Sequence, residues 1–228
     1  MARTHLDRKN VALAGTIHRL RQAIDVYRVI GINVTEARRL GLSTAFFGYV
    51  QEVSLDMVAL TVCKIFEYEK PRKPGKAKKP HQIVSIHGVT ARLERHKYTA
   101  AQTKSIARFG LKYGNKDACV HPTPFLNDTI TGFKLKHQET LRRLRDFRNQ
   151  RVAHTQFGGT RNRFKRLPSL DEFEAVFDFS EDFYRLISDG ILNIGPALIG
   201  RQSGMGLVRT LKALGVTEAR FDFPPTKD

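Results

Sequence analysis

The sequence predicts an all-α fold, a helical bundle of four or more long helices. Three observations lead to this class. Apolar residues recur at spacings of three and four over long segments, sustained period-two alternation is hard to find, and helix-capping residues precede several of the segments. Such spacing aligns apolar side chains along one helix face, and that face must pack against another helix. The 228 residues are enough for one large domain, so we predict a single domain over residues 1–228.

Four apolar stripes define the long helices. The stripes consist of Leu13, Ile17, Leu20, Ile24 and Tyr27; of Phe46, Val50, Val53, Met57 and Leu60; of Phe133, Leu141, Leu144 and Phe147; and of Leu170, Phe173, Phe177, Tyr184, Ile187 and Ile191. Within each stripe most steps are of three or four residues, which is the helical rhythm. Each stripe is therefore predicted to face a neighbouring helix.

Capping and breaking residues mark the ends of these helices. Ser169 is followed three positions later by Glu172, which is the capping-box pattern. The C-terminal extension, residues 193–228, is predicted to hold a short helix over 208–214 and a frayed end. The other predicted boundaries are an end at Gly31, a cap at Ser43 or Thr44, a start at Pro122 and Pro124, and an end at Gly158-Gly159.

Positive charge dominates the composition. Lys and Arg number 39 against 22 Asp and Glu, which gives a formal net charge of +17. Such a surplus favours polyanionic partners, with nucleic acid first and an anionic membrane second. No signal peptide is visible and no stretch approaches ~18 consecutive apolar residues, so we expect a cytoplasmic protein without a membrane partner. Cys63 and Cys119 are predicted to be free, buried thiols.

Residues 70–80 form the one clear linker in the sequence. The segment holds six positive charges, no negative ones, three prolines and a glycine, so it is predicted to be a flexible loop. It is either a solvated connector or an electrostatic arm for RNA or DNA. In the second case Lys73, Lys76, Lys78 and Lys79 are candidate RNA contacts.

Charge is also segregated near the third stripe. Residues 142–166 carry nine positive charges against one negative charge, whereas residues 171–189 carry seven negative charges against one positive charge. Either the two segments neutralise each other across the bundle, or the basic segment faces a phosphate backbone while the acidic helix lies elsewhere. The sequence leaves both alternatives open.

The basic segment contains residue types that suit metal-free RNA cleavage. That reaction needs a base for the ribose 2′-OH, a cation for the charged phosphorane and an acid for the leaving 5′-oxygen. His154 can act as base or acid, Arg148 supplies a planar permanent charge, and Asn149 can orient either partner by hydrogen bonding. Arg145 and Arg151 are candidate RNA contacts beside them.

One Arg148 and one His154 are few groups for this task. A two-fold dimer would supply two of each, one set able to act as base and the other as acid. The two residues lie six positions apart, which is about 240° around an ideal helix. Either the helix ends before His154, or the groups meet only across a dimer interface.

Other catalytic signatures are missing from the sequence. It has no phosphate-binding Gly-x-x-x-x-Gly-Lys loop, no histidines at metalloprotease or zinc-finger spacing, and no Gly-x-Ser-x-Gly elbow. We therefore expect no cofactor and no metal.

The string Arg148-Asn149-Gln150-Arg151-Val152-Ala153-His154 resembles the Arg-x4–6-His signature of the HEPN superfamily, and it is most similar to the abortive-infection branch. Upstream, residues 62–67 followed by Ser85-Ile86 are similar to that branch's helix end and short helix start, so the resemblance spans about residues 44–190. It implies a small helical bundle that is usually dimeric. Many such proteins are metal-independent endoribonucleases leaving a 2′,3′-cyclic phosphate, and many are toxins or phage-defence effectors.

The resemblance assigns Arg148 and His154 as the catalytic pair and Asn149 as their polar companion. The first hypothesis is therefore a homodimeric endoribonuclease of HEPN type that cleaves RNA in phage defence or as a toxin. The alternatives are a non-catalytic RNA- or DNA-binding helical module, or a toxin-like subunit whose basic surface is held by an antitoxin protein.

Overall fold

The computed structural model describes residues 5–67, 84–151, 167–195 and 202–221, and within these ranges every regular element is a helix. The elements are α1 (His5–Arg39), α2 (Thr44–Ile65), α3 (Ile86–Thr90), α4 (Ala100–Lys112), α5 (Pro122–Lys136), α6 (Gln138–Arg151), α7 (Leu170–Arg185), a π-helical segment (Leu186–Ile191) and α8 (Gln202–Ala213). The predicted all-α class is confirmed.

Helix α1 organises the bundle because its 35 residues pack along α2, α7 and α8. Helix α2 also packs against α6, which brings the third stripe into the core. The first, third and fourth stripes are buried there apart from the half-buried Tyr27 and Leu170, as predicted, but the third stripe lies on two helices, with Phe133 on α5 and its other residues on α6. A second apolar cluster lies beneath α8 and consists of Val29, Ile30, Ala37, Phe47, Val208, Leu211, Val216, Ala219 and Phe221.

The predicted end of the first helix at Gly31 is wrong, because α1 continues to Arg39. A glycine inside a helix costs about 1 kcal/mol relative to alanine. Burial of the residues around it in the second cluster outweighs that cost. The Asn33 side chain adds a tie by donating to the Arg220 carbonyl at 2.9 Å and accepting from the Arg220 N–H at 3.1 Å. Tertiary packing therefore overrides the local signal.

The predicted starts of α2, α5 and α7 are confirmed, whereas the C-terminal helix α8 begins at Gln202 and not at the predicted position 208. The Ser43 hydroxyl caps α2 by accepting from the Phe46 N–H at 3.3 Å, and α5 begins at Pro122. At α7 the Ser169 hydroxyl accepts from the Glu172 N–H at 3.2 Å, while the Glu172 carboxylate accepts from the Ser169 N–H at 2.7 Å. The predicted end at Gly158-Gly159 lies outside the described residues.

Apart from Val50, which packs against the second cluster, the second stripe does not pack against a neighbouring helix in the described part of the chain. Of its residues Phe46 is 59% exposed, Val53 43%, Met57 41% and Leu60 38%. The opposite face of α2 packs into the core instead. Its buried residues are Phe47, Leu55, Val58, Ala59, Val62 and Ile65. Helix α2 is apolar almost all round, so periodicity alone does not choose its buried face. We call the exposed row Phe46, Tyr49, Val53, Met57 and Leu60 the α2 stripe.

Helix α2 is also long and apolar enough to cross a membrane, judged by length and composition alone. The same test is passed by core helices of soluble proteins, and one face of α2 packs against α1 and α6. Glu52 and Asp56 also lie in the middle of the helix. What α2 leaves to solvent is therefore the α2 stripe and not a complete apolar cylinder.

A buried ionic network joins α1 to α7. The Arg21 guanidinium donates to both carboxylate oxygens of Glu174, at 2.7 and 2.8 Å, and Arg28 donates to the same carboxylate. Arg21 also pairs with Asp25 at 3.2 Å and lies over the Phe177 ring at 4.1 Å. All four charged residues are less than a tenth exposed, so these charges depend on one another for solvation.

Replacing Glu174 with alanine is expected to destabilise the fold by about 3 kcal/mol or more, because it leaves two buried guanidinium groups without their shared carboxylate. Glu174→Gln should cost less, since its amide oxygen still accepts a hydrogen bond. The measurement is the free energy of unfolding in urea. Glu181→Ala on the same helix is the control, because its partner Arg185 is half exposed and such a pair contributes only about 0.3–0.5 kcal/mol. Equal losses in the two alanine variants would contradict the prediction.

Candidate functional site

A cleft of about 450 Å³ opens where α1, α2 and α6 meet. We call it the Arg148 cleft. The described residues lining it are Thr16, Arg19, Met57, Leu60, Thr61, Lys64, Glu67, Val84 and Arg148. Three cations and one carboxylate face this space among those residues, which favours a polyanionic ligand.

The side chain of Arg148 is held in place by its neighbour. Its Nε and one terminal nitrogen donate to the Asn149 side-chain oxygen at 3.2 and 3.0 Å. The buried Leu144 and Phe147 fix this part of α6 against the core. No carboxylate of the described residues pairs with Arg148, so its positive charge is oriented without being neutralised. This is the property that an anion-stabilising group needs.

The arginines of α6 differ along the helix in whether they pair with a carboxylate. Near the start, Arg142 pairs with Glu139 and Asp146, and Arg143 pairs with Glu139. In the following turns Arg145 and Arg148 make no carboxylate pair within the described residues. Both lie close enough to Cys63 to lower the pKa of its thiol, against the larger effect of burial, which raises it. The positive potential of α6 is therefore concentrated in the half that approaches the cleft.

The acidic helix α7 does not neutralise this half of α6. The one α6–α7 ion pair in the described ranges joins Arg143 to Glu172 at 4.0 Å. The other paired acids of α7 have partners elsewhere: Glu174 on α1, Glu181 at Arg185, and Asp182 at Lys112. Among residues 142–150, the part of the basic segment whose side chains are described, ion pairing with α7 is therefore limited to Arg143.

The predicted site residues divide into two groups. Arg145, Arg148 and Asn149 lie on α6, and the structure brings the last two together. Arg151 is the last described residue of α6, and its side chain is not among those described. The others, His154, Lys73, Lys76, Lys78 and Lys79, lie outside the described residues.

The lining of the Arg148 cleft includes the two described residues that flank positions 68–83, which are Glu67 and Val84.

Two cleft cations, Arg19 and Lys64, are absent from the set that the sequence predicts. Lys64 lies within residues 62–67, the stretch that carries the upstream resemblance, so a signal for it was present. Arg19 lies on a long amphipathic helix, and only the packing of α1 on α2 brings it to Arg148.

The two cysteines are free but only half-buried, which corrects the prediction of fully buried thiols. Within the described residues no group of three or more His, Cys, Asp or Glu side chains is arranged to hold a metal ion.

His87 on α3 is expected to make stability depend on pH. Burial and the ammonium of Lys134, 3.2 Å from its Nε2, lower the pKa of His87 to about 4. The unfolded chain, with a histidine pKa of about 6.5, therefore binds a proton that the folded chain does not bind as pH falls from about 6.5 to 4. Stability is present above this window and is lost through it. Urea unfolding at several pH values should show a shallower loss for His87→Gln, and an unchanged slope would refute the assignment.

The fold of the described residues, which is all-helical and places an amide-held arginine on a basic cleft, is that expected of a HEPN-type helical domain. The HEPN-family model AbiU2 matches residues 5–198, and the chain belongs to this family of abortive-infection domains. Helix α8 lies beyond the matched range. No curated protein and no solved structure shows a significant match to the chain.

Proposed function

We propose that this protein is a metal-independent endoribonuclease that acts in abortive infection, as a phage-defence or toxin effector. The observation that carries the proposal is the Arg148 guanidinium, which is held by Asn149, unpaired by described carboxylates and turned to a basic cleft. It stands at the position that the HEPN signature gives to its catalytic arginine. Membership of an abortive-infection family supplies the biological setting.

The proposed reaction is an internal transesterification. The ribose 2′-oxygen attacks the adjacent phosphorus, the bond to the 5′-oxygen breaks, and a 2′,3′-cyclic phosphate and a 5′-hydroxyl remain. One His154 imidazole accepts the 2′-OH proton, and the protonated His154 of the second copy returns a proton to the leaving 5′-oxygen. Arg148 stabilises the extra negative charge on the phosphorane oxygens.

A homodimer is part of the proposal, and the α2 stripe supports it. An exposed apolar row on a helix is a surface that a partner can cover. The row ends in Met57 and Leu60, and these two residues also line the Arg148 cleft. A second copy seated on the α2 stripe would therefore close the edge of this cleft and bring its own Arg148 toward it by two-fold symmetry.

The test is cleavage of single-stranded RNA by the purified chain in excess EDTA. We expect products ending in 2′,3′-cyclic phosphate from the wild type and none from His154→Ala. The products are identified by mass spectrometry, which separates cyclic from linear phosphate ends. Cleavage that is equal in both proteins indicates a contaminating nuclease and defeats the proposal, as does RNA binding without any cleavage.

A further inference from the structure

A second cleft adjoins the Arg148 cleft. It has a volume of about 340 Å³, and we call it the α1 cleft. Its described lining residues are His5, Arg8, Lys9, Ala12 and Val84. Val84 lines both clefts, so they are neighbours at this residue, and we call the two together the groove. The groove runs from Arg148 toward the start of α1.

A single face of α1 forms the floor of this groove. Positions 5, 8, 9, 12, 16 and 19 contribute to the two clefts, and at 3.6 residues per turn they fall within an arc of about 100°. Arg8 and Arg19 are both exposed on this face. Between them lie the exposed Ala12 and Gly15, and no atom approaches the place where a Cβ of Gly15 would stand. The exposed surface between the two arginines is therefore formed by small residues.

The charge of the α1 cleft is of one sign. Its described lining includes His5, Arg8 and Lys9 and no carboxylate. Lys9 is buried and donates to the Gly88 carbonyl at 3.4 Å, so its ammonium bonds within the fold. Arg8, by contrast, is exposed to solvent. Among the described residues no Phe, Tyr or Trp ring lines either cleft, and the imidazole of His5 is the one ring there on which a base could stack. This chemistry suits a phosphate backbone and gives little preference for base sequence.

The spacing of the cations fits a nucleic acid strand. Arg19 lies eleven positions after Arg8, which is about 16 Å along the helix at 1.5 Å per residue. That length corresponds to about five stacked nucleotides at about 3.4 Å each. A flexible single strand can follow one narrow groove, whereas duplex RNA is recognised over a wide surface across its minor groove.

We propose that single-stranded RNA leaving the Arg148 cleft continues along α1, with its phosphates against Arg19 and Arg8. The proposal rests on the proposed function for the identity of the ligand and adds its path. Arg8 then lies about five nucleotides beyond Arg19, and RNA too short to span that distance loses the contact with Arg8.

The test places a negative charge on the groove floor at Ala12, a position that is exposed and accepts a good helix former. Binding of a labelled, unstructured RNA of about ten nucleotides is measured by fluorescence anisotropy in the His154→Ala protein, which prevents consumption of the RNA. Ala12→Glu should raise Kd by about tenfold or more, because the carboxylate repels the neighbouring phosphates. Ala12→Gln should change it little, which separates charge from bulk. Ala101→Glu, at an exposed alanine of α4, should leave Kd unchanged.

Salt dependence gives an independent measure. Arg8→Ala should reduce the slope of log K against log salt by about 0.7, the value for one phosphate contact of a single strand. Unchanged binding in Ala12→Glu, or equal losses in the Glu and Gln variants, overturns the path even if the wild type cleaves RNA. Conversely, if only Ala12→Glu weakens RNA binding and the wild-type protein does not cleave RNA, the proposed RNA path stands and the proposed ribonuclease activity is wrong. Binding of single-stranded DNA without binding of RNA overturns the proposal.

Discussion

Replacing Arg148 with alanine is expected to slow RNA cleavage by about 10²–10³-fold, with little change in stability. The magnitude is that of removing one preorganised group that stabilises charge in a transition state. The side chain is partly exposed and makes its described hydrogen bonds to the adjacent Asn149, so its loss leaves no buried polar group unsatisfied. The single-turnover rate at saturating protein is the measurement, because it reports chemistry apart from binding.

Two matched variants separate the role of Arg148 from charge in general. Arg142→Ala removes an arginine from the same helix, but one that is already paired with Glu139 and Asp146, so cleavage should be unchanged. Arg148→Lys keeps the charge and loses the planar donor pair held by Asn149, so it should recover only part of the rate. If Arg142→Ala is as damaging as Arg148→Ala, the groups contribute only through bulk electrostatics and the site assignment is wrong.

The helices that carry the four stripes and the starts of α2, α5 and α7 follow from the sequence because they depend on local chemistry. The capping box at Ser169 and Glu172 and the proline at the start of α5 are satisfied within one turn. The continuation of helix α1 past Gly31 is different, because it depends on the burial of α1 residues under α8, a segment more than 170 residues away. Local patterns cannot contain that information.

The candidate site was partly predictable for the same reason. Arg148 and Asn149 stand in one short string that carries both the chemistry and the family resemblance. The groove along α1 was not predictable, because it forms only when α1 lies beside α2 and Val84 reaches both clefts. Arg8 and Arg19 look like ordinary solvated charges until that packing is known.

The second stripe is the most informative mismatch. Its periodicity predicts a face that packs on another helix, yet within the described part of one chain that face is open to solvent except at Val50. The buried face of α2 is equally apolar, so the helix carries more apolar surface than one bundle uses. A second copy of the chain would use the surplus, and the prediction of helix packing would then hold between subunits.

Val53→Glu is therefore expected to convert a dimer into a monomer and to abolish cleavage at the same protein concentration. Val53 lies in the middle of the α2 stripe and outside the lining of the Arg148 cleft, so the substitution tests the interface and not the chemistry. Burying an unpaired carboxylate in an apolar interface costs several kcal/mol, which raises the dimer dissociation constant by roughly 100-fold or more. Light scattering after size-exclusion chromatography measures the mass directly.

A second exposed valine provides the control for this result. Val120, in the connection between α4 and α5, is 71% exposed, and Val120→Glu should remain dimeric and active. If both glutamate variants keep the wild-type mass and cleave RNA, the α2 stripe is not the interface. If instead the wild type is a monomer whose α2 stripe binds lipid vesicles, and Val53→Glu removes only that binding, the partner of the α2 stripe is a lipid bilayer. The proposal of an active site shared by two subunits is then wrong. Loss of mass and loss of cleavage together in Val53→Glu alone tie the exposed row on α2 to the chemistry at Arg148.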